Sequence, residues 1–100
     1  MAATTISPTS VLAADSEVVS CELGGGAALL DLRSSTYYNV NAVGAYLWDQ
    51  LQQPRRIADL EAAVLERYDV DDETCRRDVA ALVQQLADAN LLKVTDASAS

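Results

Sequence analysis

The chain has 100 residues, half of them apolar, with 17 Ala and no Phe, so one thin core must be filled by Leu, Val, Ile, Tyr and the single Trp48. Fifteen Asp or Glu against seven Lys or Arg give a net charge of −8, which repels polyphosphate unless the basic residues converge on one face. Arg55-Arg56 and Arg76-Arg77 are each diluted by nearby carboxylates, which argues against nucleic acid as a partner.

Residues 1–9 (MAATTISPT) are small and polar and predict a frayed tail. They hold neither the basic region nor the apolar run of a signal peptide, and no stretch approaches the roughly 20 residues that span a bilayer. A cytoplasmic protein with reduced thiols and no membrane contact is expected. After a short extended piece at Val11–Ala13, Glu17–Leu23 is rich in β-formers, and Gly24-Gly25-Gly26 supplies a turn. Ala27–Leu32 would be the return strand, and Arg33-Ser34-Ser35 would turn the chain into a third strand at Thr36–Val40. From Asn41, a suitable N-cap, the apolar period lengthens: Val43, Leu47 and Leu51 recur on one helical face until Pro54 stops it. A second helix over Ile57–Tyr68 aligns Ile57, Leu60, Val64 and Tyr68. Asp71 or Asp72 opens a third, whose stripe is Cys75, Val79, Leu82, Val83, Leu86 and Ala89, with Asn90 as C-cap. Leu91–Val94 would return to the core, and residues 95–100 would form a second tail. The expectation is an α+β, winged-helix-like domain over residues 10–94: a three-stranded antiparallel sheet followed by three helices, βββααα.

Catalysis needs a nucleophile beside a base, a metal, or acids of split pKa, and the chain has no His at all. Cys21 and Cys75 are 54 positions apart without a CxxC pair, and both suit the role of small hydrophobes better than metal ligands or reactive thiols. The acidic run Asp69–Glu73 lacks the spacing of a calcium loop and suits a helix entry. The three glycines precede no helix and no Lys, so they read as a turn rather than a phosphate cradle, and Tyr46 and Trp48 read as core anchors. The expectation is therefore no enzyme, no metal and no cofactor. The last strand of a meander, however, leaves a row of free N–H and C=O groups unless something covers it, and that row is a template for strand addition by a foreign peptide. Each added backbone bond contributes only about 0.5–1.5 kcal/mol net, so side-chain pockets must choose the partner. The same margin leaves homodimerisation open.

The stretch Leu29–Leu60, LLDLRSSTYYNVNAVGAYLWDQLQQPRRIADL, resembles the PqqD-like family, the RiPP recognition elements. It shows LLDL, the YY-x-V-N segment at Tyr37–Asn41, Gly44 and Trp48 in G-x-x-x-W spacing, Leu51 and Pro54. The tail RYDVDDETCRRDVAALVQQLADANLL, Arg67–Leu92, is similar too. The resemblance implies a non-catalytic domain that binds the leader region of a ribosomally made precursor peptide as a strand added to the third strand of the sheet, beside the third helix. Its implied peptide-binding residues are Thr36, Tyr37, Tyr38, Asn39 and Val40 on the strand, with Val79, Ala80, Val83, Gln84 and Ala87 as helix-side walls. Arg76 and Arg77 would meet acidic groups of the leader, or pair along the helix with Asp72 and Glu73. The length and Ala-rich composition resemble the separate leader-binding subunit of lasso-peptide clusters, with a cysteine-protease-like leader peptidase and an ATP-using cyclase as implied partners. The alternatives are a peptide chaperone for a radical SAM enzyme of the pyrroloquinoline quinone type, a winged-helix DNA-binding regulator, and a fragment of a larger synthetase.

Overall fold

A computed structural model describes residue 6 and residues 10–96. In chain order its elements are β1 (Ser10–Ala14), β2 (Val18–Leu23), β3 (Gly26–Asp31), β4 (Thr36–Asn41), α1 (Ala42–Gln50), β5 (Arg55–Arg56), α2 (Ile57–Arg67), α3 (Asp72–Asp88) and β6 (Leu92–Asp96). The rest of the expected tails, residues 1–5, 7–9 and 97–100, lies outside the described residues.

The β-formers between 18 and 41 make the expected antiparallel meander, in the spatial order β2-β3-β4, and three helices follow. Its first turn is the pair Gly24-Gly25, closed on Leu23 and Gly26, with Gly25 at φ +91°, a conformation that costs glycine little and other residues much. Two expected extended pieces, around Val11–Ala13 and Leu91–Val94, turn out to be strands of a second sheet, β5-β1-β6, antiparallel throughout. Its pairing runs to Ser10 opposite Asp96, two residues past the expected boundary at Val94. Arg55 and Arg56 form its short third strand, which no apolar alternation announces.

Each helix begins and ends for a local reason. The Asn41 side chain accepts the Gly44 N–H at 2.9 Å and starts α1. Arg56 precedes α2, and the Asp59 carboxylate accepts the Arg56 N–H at 3.0 Å, as in a capping box. Asp71 stands at the N-cap of α3, with Asp72 and Glu73 in its positive first turn. At the other end the C-cap is Ala89, one residue before the Asn90 expected, and Asn90 takes the left-handed conformation (φ +63°) that follows a helix. The Asn90 and Leu91 N–H groups return to the Ala87 and Leu86 carbonyls at 3.0 and 2.9 Å, a Schellman closure.

The core is built of leucine, as the lack of Phe requires. Leu12, Leu29, Leu47, Leu51, Leu60 and Leu91 have no exposed surface, and each buried side chain of this kind contributes about 1.5–3 kcal/mol. Trp48 packs among them with 3% of its surface exposed. One polar clasp joins both sheets to the end of α3. The Arg33 guanidinium donates to Asp31 at 3.0 Å, to Asp15 at 3.1 Å and to the Asn90 carbonyl at 2.8 Å. Donation from Arg33 holds the Asp31 carboxyl below the usual aspartate range.

Candidate peptide-binding groove

The register of the meander decides which backbone groups are offered at its margin. The Leu32 N–H donates to the Glu17 carbonyl, so the hydrogen-bonded pairs between β2 and β3 are Val19–Leu30, Cys21–Ala28 and Leu23–Gly26. On β3 the alternate residues Ala27, Leu29 and Asp31 must then pair with Val40, Tyr38 and Thr36. Tyr37 and Asn39 turn their N–H and C=O groups the other way, to the outer edge of β4. Among the described residues, β4 pairs with β3 alone.

Side chains follow the same alternation. Tyr38 and Val40 share a face with buried Ala27 and Leu29, whereas Tyr37 stands on the opposite face with 68% of its surface exposed. Beside the edge lies an open cleft of about 370 Å³, floored by Tyr38 and Val40 and walled by Leu82, Gln85, Leu86 and Ala89 of α3, with Leu91 at its end. Asn39 and Asn41 complete the lining, and no charged side chain takes part in it. Gly44 lets α1 settle against this floor, since a Cβ there would stand 2.7 Å from the Val40 Cβ and 3.4 Å from Leu82.

The expected binding residues divide accordingly. Tyr38, Asn39 and Val40 line the cleft; Thr36 and Tyr37 lie on the same strand outside the lining. On α3 the expected walls are elsewhere: Val79, Val83 and Ala87 are buried in the core, and Arg76, Ala80 and Gln84 lie on the ridge beyond them, off the cleft. The reason is a phase difference. At 100° per residue, Cys75, Val79, Val83 and Ala87 form one row, and Leu82, Leu86 and Ala89 a second row beside it. Two parallel apolar rows on one helix signal two buried surfaces, and the second row faces β4. Leu82, Gln85, Leu86, Ala89 and Leu91 are thus the lining residues that the sequence reading left out, although Leu82, Leu86 and Ala89 stood on its apolar stripe.

Neither cysteine is placed for chemistry in the cleft. Cys75 is buried, its thiol donates to the Glu61 carbonyl at 3.4 Å, and burial pushes its pKa up, away from the thiolate that reactivity requires. Cys21 is exposed on β2, on the far side of the sheet from β4.

Residues 26–92 match the family described as Coenzyme PQQ synthesis protein D (PqqD). Among solved structures, one described as TbiB1 in complex with the TbiA(beta) leader peptide is 31% identical to this chain, with a TM-score of 0.72, covering 81% of this chain and 94% of its own. A second, lasso peptide synthetase B1 complexed with the leader peptide, is 27% identical, with a TM-score of 0.70, covering 82% and 96%. No curated protein matches the sequence. The family match takes in the whole hairpin-and-helix frame of the cleft, from the start of β3 to the start of β6, and by it the chain belongs to the PqqD family.

Proposed function

We propose that this protein binds the leader region of a ribosomally synthesised precursor peptide on the edge of β4 and presents it to other enzymes, without catalysis of its own. The observation that carries this reading is the open β4 edge beside an uncharged apolar cleft, in a chain whose solved relatives hold leader peptides. The leader backbone would bond to Tyr37 and Asn39 while alternate side chains enter the cleft over Tyr38 and Val40. Four such bonds supply about 2–6 kcal/mol net and two apolar anchors about 1.5–3 kcal/mol each, so the anchors weigh as much as the backbone bonds in offsetting the cost of association. The likeness to lasso peptide synthetase B1 supports a place in lasso-peptide biosynthesis, in the cytoplasm, with a leader peptidase and a cyclase as the partners served. The family's own description supports a second reading, in which the bound peptide is delivered to a radical SAM enzyme.

Calorimetric titration with the leader of a precursor encoded beside this gene tests the proposal. Binding is expected, with slowed hydrogen exchange at the Tyr37 and Asn39 amides. No heat at high micromolar leader would overturn it. Neighbouring genes decide between the two pathways: a peptidase and cyclase for one, a radical SAM enzyme for the other.

A further inference from the structure

The meander has a second margin. Among the described residues β2 is paired with β3 alone, and five of its six residues are exposed. By the register derived above, Ser20 and Glu22 direct their backbone N–H and C=O groups away from β3. Their side chains overhang a second open pocket, of about 510 Å³, between β2, α1 and the end of α2. α1 lies across β3 and β4, and the inner face of β2, buried at Val18, is exposed at Ser20 and Glu22. Tyr46 and Tyr68 wall this pocket edge to face, ring centres 5.9 Å apart, and the Arg67 guanidinium lies 4.9 Å over the Tyr46 ring. Glu22 and Asp49 stand on its lining as exposed carboxylates.

The two margins differ in charge. β4 (TYYNVN) carries none, whereas β2 carries Glu22, follows Glu17 and has no Lys or Arg. We propose that β2 is a second strand-addition edge, which receives an extended basic segment of a partner protein whose alternate Lys or Arg side chains enter the pocket beside Glu22 and Asp49. A basic strand there meets two carboxylates against one Arg, and that Arg is held flat on an aromatic ring. A second copy of this chain fits poorly, because it would bring the same acidic strand and a further charge of −8 to the contact. The site is separate from the cleft at β4, so the protein would hold a peptide on one edge of its sheet and a partner on the other. This inference does not depend on the leader reading.

Titration of the isotopically labelled full chain with two short capped peptides tests it, one alternating threonine with lysine and the other threonine with glutamate. The lysine peptide is expected to shift and protect the Ser20 and Glu22 amides, and the glutamate peptide to leave them unchanged. Glu22→Lys, on an exposed side chain, should reverse that preference. Ser20→Pro, which removes an outward N–H and no ladder bond, should abolish the protection. The proposal is overturned if the lysine peptide acts only on Tyr37 and Asn39, if both peptides act alike, or if rising protein concentration alone protects the β2 amides. Leader titration read at Tyr37 and Asn39 provides the control, since its failure bears on the β4 edge and not on β2.

Discussion

At the scale of single residues, alternation along β4 separates two roles that a contact map would merge. Asn39 offers its backbone to the margin, whereas Tyr38 gives its backbone to β3 and its ring to the cleft. Asn39→Pro should therefore abolish leader binding with the fold intact, while Asn39→Ala, which keeps the N–H, should leave affinity within about threefold; calorimetry and circular dichroism on the pair check this. Val83, with no exposed surface, provides the contrast. Val83→Asp buries an unpaired carboxylate and should cost about 3–5 kcal/mol in urea denaturation, so any loss of binding would follow from unfolding. Ala89→Trp, on the row that lines the cleft, should instead fill it and weaken the leader at least about tenfold, with the urea midpoint little changed.

At the scale of elements, the sequence made most of the frame legible and blurred the face of one helix. The meander and the three helices follow from period, turn chemistry and caps, because Gly24-Gly25, Asn41, Pro54 and Asp71 are local signals that act within a few residues. The second sheet was read only as loose pieces, since β1, β5 and β6 come from three distant parts of the chain and Arg55-Arg56 shows no strand pattern. The walls expected on α3 and the residues that line the cleft fall on neighbouring rows because the stripe on α3 is two rows wide, and one dimension of sequence does not say which row meets the core. The same frame depends on the Arg33 clasp between Asp31, Asp15 and the end of α3. Asp31 has its carboxyl pKa depressed in the folded chain, so its contribution is full above the ordinary value of about 3.9 and is lost as pH falls through the lowered one. Urea midpoints should therefore fall as pH drops below about 3.9, and Asp31→Asn should flatten part of that fall.

At the scale of the whole molecule, a domain with a net charge of −8 presents a cleft with no charge in it. Leader affinity at β4 should then change less than about threefold across the range of salt that screens surface charge, which titrations at low and high ionic strength would show. The second sheet has a consequence of another kind. Its central strand opens at Ser10 directly opposite Asp96, so the backbone enters and leaves the domain side by side. A unit whose two ends exit together can be spliced into a loop of an unrelated enzyme, or tethered from either terminus, without stretching its own frame. Such a layout makes the module portable, and it could travel between proteins as one cassette.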